Sequence, residues 1–295
     1  MATDFTEETA ADAVVESFAP STDPRLRAIL TSLVRHLHSF AREVELTVPE
    51  WEYAIDFLTR TGQKCDDKRQ EFILLSDVLG MSMLTETITN RKFGVATEST
   101  VLGPFHVVQS PVKELGDTLY PASTGDSVGT GTPCVVTGRV LSTDGSPLRH
   151  ATLDVWQADD QGFYDVQQPG VQEIGDGRGL FTADGDGEFW FRTIVPRYYP
   201  IPTDGPVGEM LTATGRHSFR PAHIHFIVKA PGHRDLTTHM FVAGSEYIDS
   251  DTVFAVKKSL VVDFVPIEDA EQAKKWNVPA GARHAHFEIV MSPVR

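Results

Sequence analysis

The chain has 295 residues, 41% hydrophobic and 23% charged, the make-up of a globular protein with room for one large domain or two modest ones. Its formal net charge of −15 opposes binding to nucleic acid, which needs a basic face to release counterions. No apolar run approaches the roughly 20 residues that span a bilayer, and the opening MATDFTEETA lacks the basic and apolar regions of a signal peptide, so a cytoplasmic protein with no membrane partner is expected.

Up to about residue 95 the pattern is helical. After Asp23-Pro24, Leu26, Ile29, Leu30, Leu33, Val34 and Leu37 recur at helical spacing and make one apolar stripe. Thr47 is a candidate N-cap for a second helix, with Pro49 in its first turn and Trp51, Ala54, Ile55 and Leu58 expected inward. A third helix is predicted from about Asp66 to Thr89, carrying Phe72, Leu75, Val78, Leu79 and Met83, with Ser76-Asp77 set among them. Cys65 and Cys134 are too few for a disulfide framework and read as idle or buried thiols.

After Pro104 the period changes. Short β-rich runs stand between turn signals: Pro133–Leu141, Ala151–Gln157, Glu188–Val195, Ala222–Lys229, Leu236–Val242, Ser259–Val265 and His284–Met291. Strands without helices between them predict an antiparallel β-sandwich rather than a doubly wound sheet. The expected fold class is α+β, mainly β, with a helical part over 1–104 and a sandwich over 105–295. Two stretches, Gly162–Leu180 and Arg197–Pro221, carry no periodicity. Loops of that length are uncommon in a compact domain unless they have a task.

The most informative segment is Arg220-Pro-Ala-His-Ile-His-Phe-Ile-Val228. Residues two apart on a strand share a face, so His223 and His225 project together while Ile224 and Phe226 turn to the core. A His-x-His pair is weak evidence alone. His36 and His38 have the same spacing on a helix, where they diverge by about 200°. His284 and His286 are the serious competitor, on a predicted strand, but only Trp276, Lys274 and Lys275 accompany them. Three of the six tyrosines, Tyr164, Tyr198 and Tyr199, fall in the two irregular stretches that flank His223 and His225. Phenolate oxygens with imidazoles suit Fe(III) better than Zn(II). Packing, with the hydroxyls satisfied, is the alternative for each tyrosine. A binding module in which tyrosines and histidines merely pack, and a zinc hydrolase using His223, His225 and Asp165, are the rival functional readings.

The sequence resembles the intradiol ring-cleaving dioxygenases over nearly its whole length. The resembling segments are Glu98-Ser-Thr-Val-Leu-Gly-Pro-Phe105, Leu153-Asp-Val-Trp-Gln-Ala158 with Gly162-Phe-Tyr-Asp165, Tyr199-Pro-Ile-Pro202 and Gly215-Arg-His-Ser-Phe-Arg-Pro-Ala-His-Ile-His225. The resemblance implies one Fe(III) per subunit held by Tyr164, Tyr199, His223 and His225, the turn Tyr-x-x-Pro selecting Tyr199 over Tyr198. It implies that Tyr199 helps take a substrate proton and that Arg220 stabilises negative charge. The implied reaction inserts oxygen from O2 between the two hydroxylated ring carbons of a vicinal diol and ends in a muconate-type dicarboxylate.

Further expectations follow from the same likeness. Leu74, Asp77, Val101, Leu102, Gly103, Pro104, Ile201, Pro202, Arg220, His239 and Val253 are the expected substrate contacts. Asp77 and His239 resemble the hydroxyquinol-cleaving branch of the family rather than the catechol- or chlorocatechol-cleaving ones. A carboxylate in the pocket suits a third ring hydroxyl. The helical N-terminus resembles the family's dimerisation region, which can also hold a phospholipid.

Overall fold

The computed structural model describes residues 4–66, 69–91, 94–106, 109–120 and 131–294. They form a mixed α+β protein of seven helices and eleven strands among the described residues. Two compact units divide the chain, one ending at Arg60 and one starting at Thr61. The expected boundary after Pro104 therefore falls inside the second unit. Segment 97–100 explains why: Thr97 N donates to Val290 O and Thr100 N to Thr237 O, each at 2.9 Å, tying it to two strands.

The first unit holds α1 (Ala10–Glu16), α2 (Pro24–Glu43) and most of α3 (Val48–Gln63). Pro24 sits in the first turn of α2, and the Asp23 carboxylate caps it by accepting from the backbone N–H groups of Arg25 and Leu26 at 2.8 and 3.0 Å. At the start of α3, Glu50 accepts from the backbone and hydroxyl of Thr47. The apolar stripes face outward. Leu26, Ile29, Leu33 and Leu37 are about half exposed, and Trp51, Ile55 and Leu58, expected inward, are too.

The second unit begins with α4 (Glu71–Val78) and α5 (Met81–Asn90). One helix was expected here. The axis instead bends by 74° at Gly80, whose φ of 72° lies in the left-handed region that glycine enters without a Cβ penalty. The Glu71 carboxylate, fully buried, accepts from Val207 N at 3.2 Å and pairs with Arg69 at 2.7 Å. That contact ties α4 to α6 (Pro206–Ala213), a helix inside a stretch read from sequence as irregular. Among the described residues no single helix is long and apolar enough to cross a membrane.

The strands are β1 (Pro133–Ser142), β2 (Thr152–Gln157), β3 (Arg178–Thr182), β4 (Glu188–Ile194), β5 (Tyr199–Pro200), β6 (Phe219–Arg220), β7 (His223–Lys229), β8 (Leu236–Val242), β9 (Val261–Val262), β10 (Val265–Pro266) and β11 (Arg283–Met291), with α7 (Ala270–Lys275) before the last. One sheet has the order β10-β11-β1-β4 and the other β3-β2-β7-β8-β9; β5 and β6 pair separately. The expectation of purely antiparallel sheets is corrected, because β11 lies parallel to β1 and β9 parallel to β8. Parallel neighbours need a long crossover, and the last strand returns to the first one after the rest of the unit has been built. The run Ser259–Val265, read as one strand, splits into β9 and β10, which join different sheets.

Both sheets contribute to one buried cluster: Val136, Val140, Phe189 and Phe191 from the first, Leu153, Val155, Ile224 and Phe226 from the second. The Phe226 ring lies 6.3 Å from Phe189 and 6.4 Å from Phe191. Fully burying side chains of this size stabilises by about 1.5–3 kcal/mol each. The other face of β2 and β7 carries a second buried cluster built on Trp156, Tyr164 and Tyr199.

Candidate metal centre and substrate cavity

Alternation along β7 sends Ile224 and Phe226 into the main core and His223 and His225 to the opposite side. Two separate devices bring the phenols to them. Tyr164 stands just past β2, at the start of a short 3-10 turn over Asp165–Gln167. Behind it, the Asp165 carboxylate is buried with Arg178 of β3 at 2.6 Å, and Arg178 Nη2 donates to Phe105 O at 2.8 Å. Tyr199 is held by the β5–β6 ladder, which sets it directly opposite Arg220.

The result is a tight convergence of donor atoms. The Tyr164 hydroxyl is 2.9 Å from His225 Nε2 and 3.3 Å from the Tyr199 hydroxyl. The Tyr199 hydroxyl is 3.4 Å from His223 Nε2, and the two Nε2 atoms are 3.1 Å apart. All four side chains are at most 2% exposed. Tyr198 turns away and packs edge-on to Phe219 and Tyr247.

This donor set fits a strongly charged cation. Burial, then the Tyr199 phenol beside it, pushes Tyr164 well up from an ordinary phenol, so only a large positive charge would make it anionic. Burial above all, with Arg220 as a further cause, holds His223 well below a free imidazole. His225 is lowered by burial and then by its histidine neighbours. Both rings are thus neutral, with lone pairs available to a metal. Two hard phenol oxygens and two imidazoles suit iron.

Arg220 is 2% exposed and reaches the same centre, with Nη1 3.4 Å from the Tyr199 hydroxyl and 3.3 Å from His223 Nε2. Burial works against its charge, but the Asp251 carboxylate, 3.2 Å from Nε, outweighs that and holds the guanidinium firmly protonated. Asp251 also accepts from Val253 N at 3.3 Å and Ala255 N at 3.0 Å. One buried carboxylate therefore holds both the arginine and a loop. Sequence reasoning missed Asp251. Its signal was an aspartate placed to accept from backbone N–H groups two and four residues on, a common turn device.

Beside the donors lies a narrow cavity. Leu74, Asp77, Val101, Gly103, Pro104 and Phe105 form part of its wall, and Tyr199, Ile201, Arg220 and Val253 the rest. Phe105, the last residue of the resembling segment Glu98–Phe105, stacks on Tyr164 at 4.7 Å. Gly103 has φ 78°, and a Cβ there would stand 3.3 Å from His225 Cε1, so both the backbone and the close approach favour glycine. Asp77 is 4% exposed, and its Oδ1 has no hydrogen-bond partner among the described residues. Burial raises its pKa from the usual carboxylate value, against a Ser82 hydrogen bond and the Arg220 charge.

Three expected substrate contacts do not line this cavity. Leu102 is 43% exposed, and Pro202 lies outside the wall. His239 is fully buried but stands behind His225, with Nε2 2.7 Å from His225 Nδ1. The reason is register: β8 pairs with β7 so that His239 lies opposite His225 and His223 opposite Phe241.

A two-sheet α+β unit with a buried Tyr₂His₂ cluster, beside a cavity that holds the Asp77 carboxylate, suits a metal-dependent oxygenase, and family comparison agrees. The model described as "Dioxygenase" matches residues 102–293 and the one described as "Catechol dioxygenase N terminus" matches residues 23–97. The chain belongs to the intradiol ring-cleaving dioxygenases, an iron-dependent family.

Within that family it is similar to hydroxyquinol-type enzymes. It is 50% identical over 281 residues to a 6-chlorohydroxyquinol 1,2-dioxygenase of Cupriavidus pinatubonensis, covering 95% of each chain. It is 49% identical over 277 residues to a hydroxyquinol 1,2-dioxygenase of a Rhizobium species, covering 94% of this chain and 92% of the other. The solved structure of hydroxyquinol 1,2-dioxygenase from Pseudomonas putida superposes with a TM-score of 0.89 at 48% identity, over 98% of this chain and 99% of that one.

Proposed function

We propose that this enzyme opens hydroxyquinol (1,2,4-trihydroxybenzene) with O2 to 3-hydroxy-cis,cis-muconate, the enol form of maleylacetate, using one ferric ion per subunit. The observation that carries the substrate is Asp77. Its unpartnered carboxylate oxygen is sealed into the same cavity as Tyr199 and Arg220. A buried acceptor without a donor costs about 1–3 kcal/mol, and a third ring hydroxyl, absent from catechol, supplies the donor. The names of the relatives point the same way.

Tyr164, Tyr199, His223 and His225 are the iron ligands we assign. Bound there, ferric iron supplies the Lewis acidity and the electron acceptance that let a deprotonated diol react directly with O2. As a phenolate, Tyr199 would take a substrate proton and leave the metal as the neutral phenol. Arg220 stabilises the negative charge that the ring acquires, an interaction strengthened by the burial of its guanidinium. Leu74, Val101, Ile201 and Val253 hold the ring edge and exclude water.

The two sheets sharing one core read as a β-sandwich that carries this site. The helices up to 104 read as a dimerisation region, supported by the exposed apolar stripes of α2 and α3. A homodimer is the expected assembly, and light scattering tests it. Cys65 and Cys134 are free thiols, in keeping with a reducing cytoplasm.

Steady-state kinetics on hydroxyquinol, catechol and chlorocatechols test the substrate. We expect hydroxyquinol to have the highest kcat/KM, and Asp77→Ala to lower it by about 10-fold or more, the value of one buried hydrogen bond to a charged group. Catechol turnover should change much less. A wild-type preference for catechol overturns the hydroxyquinol assignment; equal losses on both diols remove the specificity role of Asp77.

A further inference from the structure

His225 is held from two sides by its neighbours across the sheet. Trp156, His225 and His239 occupy matching positions on β2, β7 and β8. The indole of Trp156 stacks on the His225 ring at 4.5 Å with planes 12° apart, which fixes the ring's tilt. His239 Nε2 meets His225 Nδ1 at 2.7 Å, which fixes its rotation. The other nitrogen, Nε2, is thereby aimed at the Tyr164 hydroxyl.

With Nε2 of His225 given to iron, the proton inventory allows one arrangement. A neutral imidazole has one N–H and one lone pair. If Nε2 of His225 offers its lone pair to the donor cluster, its proton is on Nδ1 and must be donated to His239. His239 Nε2 then accepts, and its own proton sits on Nδ1, an atom buried with no partner among the described residues. His223, His225 and His239 offer nitrogens within 4.8 Å of one another, so a three-histidine metal site is the competing arrangement. It fails on direction: His239 Nε2 is spent on His225 Nδ1, on the far side of that ring from the phenols.

We propose that His239 is a positioning residue, neither iron ligand nor substrate contact: by accepting the Nδ1 proton of His225 it fixes that ring's tautomer and orientation and so strengthens iron binding. The inference rests on the iron site proposed above. Such outer partners of metal-bound histidines are typically worth 10–100-fold in metal affinity or activity.

Purified wild-type, His239→Leu and His239→Gln enzymes should be compared in three ways: iron retention against a chelator, the phenolate-to-iron charge-transfer band, and the melting temperature of the metal-free protein. His239→Leu should release iron about 10–100-fold more readily and shift the band. Its metal-free melting temperature should change little, because the cost of leaving His225 Nδ1–H without its acceptor is offset by removing the buried, unpartnered N–H of His239. His239→Gln, whose amide oxygen can accept the same proton, should stand much closer to wild type on both iron readouts.

Wild-type iron retention and band in His239→Leu would overturn the proposal. So would a His239→Gln variant as impaired as His239→Leu, or iron loss that merely tracks a lower metal-free melting temperature. If His239→Leu does not fold, His239→Met puts the same question and is read by the same outcomes. A wild-type protein that takes up no iron would instead fail the site assignment beneath, and this inference with it.

Discussion

Two His-x-His pairs lie on strands of this protein, and their fates differ. On β7, His223 and His225 are buried and face two phenols and a guanidinium. On β11, His284 and His286 share the hydroxyl of Thr137, at 2.8 and 3.0 Å, and His284 packs against Trp276 at 4.8 Å. Spacing and strand geometry are the same in both. What differs is what distant segments deliver: Tyr164 after β2 and Tyr199 on β5 in one case, one threonine in the other. A pair of imidazoles becomes half of a metal site only where the fold brings the other half and removes the water.

The sharpest attempt to break that contrast is a matched pair of alanine variants. His225→Ala should lose iron and at least about 100-fold of its turnover, more than the loss of an outer partner, whereas His286→Ala should keep its iron and its kcat. Metal analysis with steady-state kinetics decides it, and comparable losses would erase the distinction. Next, Tyr199→Phe should keep the protein folded yet lower kcat by about 100-fold or more, the scale of a lost proton acceptor, and should alter the charge-transfer band. An unchanged spectrum would remove Tyr199 from the proposed ligand set.

A third variant asks how far the β7 site depends on its surroundings. Asp251→Ala leaves Arg220 buried without its carboxylate, a change that typically costs about 3–5 kcal/mol. Denaturant unfolding of the metal-free protein should show a loss on that scale. No loss would mean that Arg220 has found another partner. The smallest effect concerns the β11 pair. Burial first, and the His286 charge second, hold His284 below an ordinary imidazole. An NMR titration should place its midpoint below 6.5, and His286→Ala should raise it only partway, because burial remains.

Local chemistry in the sequence anticipated much of this. The helix starts near Asp23-Pro24 and Thr47, the alternation of β7 and the clustering of tyrosines near it all reflect interactions within a few residues, which a linear reading can see. Other features depend on partners far along the chain. Gly80 bends a helix whose apolar pattern runs straight through it, because φ is set by the packing on either side. Asp251 meets Arg220 only after β6 and the loop beyond β8 are folded together.

His239 draws the line most clearly. From sequence it is a histidine at a position where a family pattern differs, and substrate contact was the natural expectation. Register between β7 and β8 sets it behind His225 instead. The sequence by itself determined which residue types were available, phenols, imidazoles, one arginine and one carboxylate, and which strand face two of them share. Only tertiary structure decided which of these meet, because a hydrogen bond or a metal site is set by distances of a few ångströms between segments that the chain keeps far apart.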